Sequence, residues 1–192
     1  TRKGEMALAH TTYEQALATA RANQDRAGTA FILTAVGELA RQEGDYARAA
    51  AYYDEAMTLA RTLGQKARVM MLLHNQGYVA LQRDEAGHAA ATFRACLKLG
   101  LELPDKENFG MCLIGLGCVA IVEGQTPRAI RLFAAGARTL ADLGADLVPA
   151  DQMEFDRYLA LARERMPAER FARLWAEGQA LAPEQAQALA LA

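Results

Sequence analysis

Cysteine is scarce: Cys96, Cys112 and Cys118 are the only three. Their odd number and their spacing fit neither a disulfide framework nor a metal-ligand signature, which suits a reduced, cytoplasmic setting. An excess of one charge is missing as well. The formal net charge of −2 over 192 residues leaves no electrostatic footprint for nucleic acid or an anionic membrane. Long hydrophobic runs do not occur. The longest uncharged stretch, Phe109 to Val122, falls well short of the roughly 20 residues that a spanning helix needs. Nor does any tract of Gly, Ser or Pro break up a chain that is 52% hydrophobic, so residues 1–192 read as one continuous domain without a linker.

Signatures of catalysis are equally sparse. Gly64-Gln65-Lys66 lacks the rest of a phosphate loop. His10, His74 and His88 fall in three different predicted helices, and no pairing nominates a nucleophile with a base. Cys112 and Cys118 point to different faces of one predicted helix and, like Cys96, suit small packing sites. The neighbouring carboxylates Asp54-Glu55 and Glu154-Asp156 lie on stretches that read as solvated. The arginine-rich run Arg157 to Arg173 is interleaved with Glu164 and Glu169, which predicts a salt-bridged outer face rather than an RNA site. The expectation is a chain that is not an enzyme, with no cofactor and no metal.

What is present is a repeat. Gly37, Gly77 and Gly117 recur at a spacing of forty residues, each three before Ala40, Ala80 and Ala120. The same register holds Leu33, Leu73 and Leu113; Ala49, Ala89 and Ala129; Tyr53, Phe93 and Phe133; Ala56, Cys96 and Gly136; and Leu63, Leu103 and Leu143. Subtracting forty once more lands on Gly4, Ala9, Tyr13 and Ala16. Such self-similarity predicts a solenoid whose units bury their apolar faces against their neighbours. Within a unit, Leu33, Val36, Gly37 and Ala40 form one helical face, and Ala49, Tyr53, Ala56 and Leu63 form another. Gly44-Asp45 marks the turn between them, a helix-ending glycine followed by a capping carboxylate. In the third unit Thr126 is the expected cap, with Pro127 at the first helical position.

The parts are then a half repeat at 1–24, full repeats at 25–64, 65–104 and 105–144, and atypical capping helices at 145–192. Helices are predicted at Glu5–Ala22, Arg26–Glu43, Tyr46–Thr62, Lys66–Arg83, Glu85–Glu102, Lys106–Glu123 and Pro127–Asp142. The period breaks at Val148-Pro149. Three more helices are predicted from Asp151 to Arg165, from Pro167 to Trp175 and from Pro183 onward, with Trp175 as an apolar plug. Because Thr1 opens on a halved repeat, the chain reads as a piece of a longer protein. Its first helix is expected to expose Ala9, Tyr13 and Ala16, and this end is a candidate surface for homodimer formation.

Leu33, Val36-Gly37, Tyr46, Ala49, Tyr53 and Ala56 resemble the tetratricopeptide repeat (TPR), as do Leu113, Leu116-Gly117, Gly124, Ala129 and Phe133. The middle unit departs from the pattern at Gln76, Asp84 and Ala86, and the units exceed the usual length of about thirty-four residues. This longer form, together with the tail Arg131 to Leu191, is similar to the C-terminal TPR regions of large bacterial signalling ATPases of the LuxR, MalT and AfsR kind. The resemblance implies an all-α, right-handed solenoid of antiparallel helix pairs with a C-terminal helical cap. It also implies an interaction or sensor module of a transcriptional or signalling regulator, with no direct role for nucleic acid or membrane.

In TPR proteins the first helices line a concave groove. The resemblance therefore nominates Phe31, Thr34, Glu38, Met71, His74, Tyr78, Gln82, Met111, Ile114 and Cys118 as groove residues. Phe109 to Val122 is apolar all round, so both of its sides must be covered. Either the C-terminal helices fold back over the groove, or the groove holds a peptide of a protein partner, including another domain of the parent chain, or a small-molecule effector. A carboxylate clamp for chaperone tails is not among the options, since Ala35, Asn75 and Gly115 stand where its cations belong. A closed small-molecule receptor and a self-assembly scaffold are the alternative readings.

Overall fold

The structure, a computed structural model, describes residues 2–103 and 105–192. Thr1, which opens the expected half repeat, and Pro104, which ends the second full repeat, lie outside the described residues. Ten helices and no strand are found among them: α1 (Arg2–Ala22), α2 (Arg26–Gln42), α3 (Tyr46–Thr62), α4 (Lys66–Gln82), α5 (Ala86–Glu102), α6 (Lys106–Val122), α7 (Thr126–Leu143), α8 (Pro149–Glu164), α9 (Ala168–Gln179) and α10 (Pro183–Leu191). Consecutive helices pack in pairs, α1 on α2, α2 on α3, α5 on α6 and α6 on α7. This is the all-α, helix-pair architecture that the forty-residue repeat predicts.

A half-period explains the regularity. Helices α2 to α6 are each 17 residues long, and short links return the chain to the same point every twenty positions. Left-handed backbone falls on Gln24, Gly44, Gly64, Asp84, Gly124 and Gly144, with φ between 54° and 80°. Aspartates cap three of the helices: Asp25, Asp45 and Asp105 accept hydrogen bonds from the amides of Gly28, Arg48 and Asn108 at 2.8 to 3.0 Å. Each such cap is worth about 1 kcal/mol. Gln125, and not Thr126, is the cap of α7, and its side chain makes no capping bond. Thr126 already lies inside the helix, next to Pro127. Likewise α8 begins at Pro149, two residues before the expected start, because a proline is pre-organised for the first helical position and holds Val148 extended.

The helices join by setting an aromatic ring on a glycine. A Cβ built on Gly37 would lie 2.5 Å from Tyr53 Cε1, and one on Gly117 would lie 2.5 Å from Phe133 Cε1. Tyr53 and Phe133 are fully buried. Leu63 is not: the helix ends at Thr62 and leaves Leu63 at its cap, 39% exposed. The expected buried face thus stops one turn early.

Packing divides the chain into two compact units, one running to Val79 and one from Ala80 to Ala192. In the first, Leu17, Leu33, Ala40, Ala49, Tyr53, Ala56, Met57 and Leu72 form a continuous core from α1 to α4. In the second, α8 packs on α6 and α7, α9 packs on α7, and α10 touches both α6 and α7. Phe155 of α8 meets Phe133 edge-on at 5.4 Å.

Arginines close the ends of these helices. Arg165 Nη1 donates to the Ile121 carbonyl of α6 at 2.7 Å. Arg138 Nη1 donates to Gln179 of α9 at 2.7 Å. Arg128 donates to Leu189 and Ala190 of α10 at 3.1 and 3.2 Å. A cation there satisfies carbonyls that the helix leaves unpaired and complements its negative end. Arg157 of α8 faces Glu154 and Arg173 of α9 faces Glu177, each at 3.9 Å. Trp175 is half-buried and stacks on Phe171 at 5.8 Å.

Candidate interaction surface

In the first unit, α2 and α4 leave a depression of about 310 Å³ between them. Four of the nominated residues, Phe31, Thr34, Glu38 and Met71, line it together with Ala35, Ala67 and Arg68. Two large apolar side chains stand open here, Phe31 at 59% and Met71 at 49% exposure. Helical spacing places them there: Phe31, Thr34, Ala35 and Glu38 follow one stripe of α2, and Ala67, Arg68 and Met71 follow one of α4. Thr34 is buried, its hydroxyl donating to the Ala30 carbonyl at 2.8 Å. The Arg68 guanidinium sits over the Phe31 ring at 5.3 Å, so an apolar floor carries a cation at one side and the half-buried Glu38 carboxylate at another.

His74 and Tyr78 lie further along α4 but belong to the interior. They are 3% and 1% exposed, with their rings edge to face at 5.1 Å. The guanidinium of Arg41, itself buried, lies 5.3 Å from the Tyr78 ring. These three side chains form one packed group, and neither His74 nor Tyr78 lines the depression.

Of the candidates in the second unit, Ile114 and Cys118 are fully buried, while Gln82 and Met111 are half-buried. Gln82 donates to Glu154 Oε1 of α8 at 2.7 Å and accepts from Arg157 Nη1 at 3.2 Å. Cys118 is fully buried. Its thiol is pushed well up, first by burial and then by the negative field of Glu154 and Asp151 on α8. Tyr158 of α8 is pushed up to about 12, again mainly by burial and next by Cys118. Ile114 is fully buried, its Cγ1 only 2.8 Å from where a Cβ on Gly136 of α7 would stand. Met111 is half-buried. The other two cysteines share a different place. Cys112 Sγ lies 2.8 Å from Cys96 Sγ, and both thiols donate to Asn108 Oδ1 at 3.0 to 3.3 Å. At the start of the chain Leu8 is 68% exposed, while Ala9, Tyr13 and Ala16 are half-buried.

Residues 32–67 match the tetratricopeptide repeat family. The match takes in most of α2, all of α3 and the first residues of α4, so this TPR includes Thr34, Ala35, Glu38 and Ala67 of the depression. Tetratricopeptide repeats generally mediate protein–protein interactions and are typically non-catalytic. Comparison with curated proteins and with solved structures returns no match. Among the described residues no helix is long and apolar enough to cross a membrane.

Sequence reasoning missed Arg41 and Arg68. Both are arginines at ordinary helical positions, and Arg41 has Glu38 and Asp45 at helical spacing, which suggest a solvated ion-paired face rather than contact with a ring. Only the fold shows that each guanidinium lies over an aromatic ring of another helix, Arg41 of α2 over Tyr78 of α4 and Arg68 of α4 over Phe31 of α2.

Proposed function

We propose that the chain is the protein-interaction part of a larger cytoplasmic bacterial regulator of transcription or signalling. Its depression between α2 and α4 docks an apolar peptide segment of a partner or of another domain of the same protein. The observation that carries this is the exposure of Phe31 and Met71 side by side over one concave surface. Apolar anchors in a pocket with a polar rim are where binding energy concentrates. Glu38 and Arg68 at the edges favour a segment with one apolar anchor flanked by a basic and an acidic residue. The depression is at the small end of the range for ligand sites, about 300 Å³ and upward, which suits one anchoring side chain. Occupancy shifts the parent between resting and active states by as much as the peptide binds one state better.

The test is peptide display against the purified chain, followed by titration of the selected peptides with the Phe31→Glu and Met71→Glu variants. Both positions are exposed, so folding stability should stay within about 0.5 kcal/mol of the parent. Affinity should fall by about tenfold or more, which is about 1.4 kcal/mol. Selected peptides that bind both variants as tightly as the parent chain refute the assignment.

A further inference from the structure

Two nucleophilic side chains meet inside the second unit. Cys96 of α5 and Cys112 of α6 are thiols, both fully buried, with their sulfurs 2.8 Å apart. The backbones are close there as well. One turn away, in the same antiparallel register, the Phe93 ring of α5 rests on Gly115 of α6, where a Cβ would run into Phe93 Cε1. A glycine thus holds the two helices at close quarters beside the cysteine pair. A disulfide sets its sulfurs about 2.05 Å apart, so this pair stands only about 0.8 Å outside bonding distance.

Packing alone does not call for sulfur at these positions. Forty residues earlier, in the first unit, the equivalent positions hold Ala56 and Leu72, which are fully buried too. An alanine and a leucine fill that space in the neighbouring repeat. In the second unit Asn108 Oδ1 accepts from both thiols, at 3.0 Å from Cys96 and 3.3 Å from Cys112. The Cys112 thiol is pushed well up, first by burial and then by its bond to Cys96. The pair is therefore held protonated while it is reduced.

We propose that Cys96 and Cys112 form a redox site that closes to a disulfide by exchange with a small-molecule disulfide such as oxidised glutathione. One cysteine gives up its proton and attacks the small disulfide, forming a mixed disulfide and expelling one thiolate. The other cysteine, deprotonated in turn, attacks the mixed disulfide and expels the second thiolate. The two expelled thiolates take up the two protons, so the cysteines are oxidised and the small disulfide is reduced to two thiols. The new bond pins α5 to α6 by closing the loop between positions 96 and 112. Burial makes the thiols slow to react, so the site follows the standing balance of the surrounding thiol pool rather than a brief pulse of oxidant. It shares no residue with the peptide-docking depression, and its test stands independently of that reading.

The full chain is refolded from urea in reduced or in oxidised glutathione, so that closure does not wait for buried thiols to open. Samples are quenched in acid, and a portion is alkylated in denaturant. Mass spectrometry should find the oxidised chain lighter by two hydrogens before alkylation, with Cys96 joined to Cys112 and Cys118 alkylated. Amide exchange in α5 and α6 should be slower in the oxidised form by about tenfold or more. Cys96→Ala together with Cys112→Leu reproduces the pair at Ala56 and Leu72 and should exchange alike in both buffers. The proposal is overturned if Cys96 and Cys112 stay thiols in oxidised glutathione, if Cys118 enters the bond, or if glutathione remains attached in place of the internal disulfide. It is equally overturned if the disulfide leaves exchange in α5 and α6 unchanged, or if the double variant keeps the difference between buffers.

Discussion

Replacing Gly136 by alanine puts a methyl group at the closest approach between α6 and α7. A Cβ built there would lie 2.6 Å from the Gly110 carbonyl oxygen and 2.8 Å from Ile114 Cγ1. A carbon and a carbonyl oxygen ordinarily come no closer than about 3.3 Å, so the helices must part by about 0.7 Å. The obstructing oxygen belongs to a helix backbone and cannot swing aside as a side chain would. The cost therefore sits near the top of the overpacking range, about 3 kcal/mol. Alanine returns about 1 kcal/mol of helix propensity, which leaves a net loss of about 2 kcal/mol. Gly87 in α5 is the control, since a Cβ there meets nothing within 4 Å, and Gly87→Ala should be neutral or stabilising by up to about 1 kcal/mol. The readout is native-state amide exchange in α6 and α7, because it reports on the second unit alone. A loss of about 2 kcal/mol speeds exchange about 30-fold. Exchange in Gly136→Ala at the parent rate or below would refute the reasoning.

Three other outcomes are expected. Asp84 holds a left-handed conformation, φ 59°, at a position filled by glycine in most of the equivalent turns; Asp84→Gly should stabilise by up to about 1 kcal/mol, read as a raised urea midpoint. Arg128→Ala removes both bonds to the end of α10. Exchange in α10 should speed by about tenfold or more, as suits a lost charged hydrogen bond of about 1.5 kcal/mol, while α6 stays protected. The Tyr158 hydroxyl is raised to about 12 by burial, and the unfolded chain titrates near 10. Between those values the native state keeps a proton that the unfolded state has lost, so stability falls as pH climbs through this window and is insensitive to Tyr158 below it. Urea midpoints measured at about pH 9 and pH 11 should differ more in the parent than in Tyr158→Phe.

The helices were legible because local chemistry sets them. Gly44, Gly64, Gly124 and the aspartates at 25, 45 and 105 state where each begins and ends. The site was legible only in part. Phe31, Thr34, Glu38, Met71, His74 and Tyr78 share helical stripes, yet the first four line a depression while the last two pack with Arg41 in the interior. Depth depends on a residue from another helix, and no stripe records it. Helix α6 is apolar on every side, so its composition gave no direction. Ile114 proves to face Gly136 of α7, Cys112 faces Cys96 of α5, and Cys118 lies near the acids of α8. The arginine caps join residues 41 to 62 positions apart, beyond the reach of any local pattern.

The twenty-residue cadence of left-handed turns and caps also sets the terms on which this chain can be cut and rejoined. Recombination between equivalent positions of two repeats, forty residues apart, keeps every cap, turn and apolar face in phase. A join that slips by a single residue turns every side chain beyond it by about 100° around its helix. Such a slip would aim the aromatic of one helix away from the glycine of the next. Shuffling of this chain, in the laboratory or in its genome, is thus tolerated in whole steps and penalised between them.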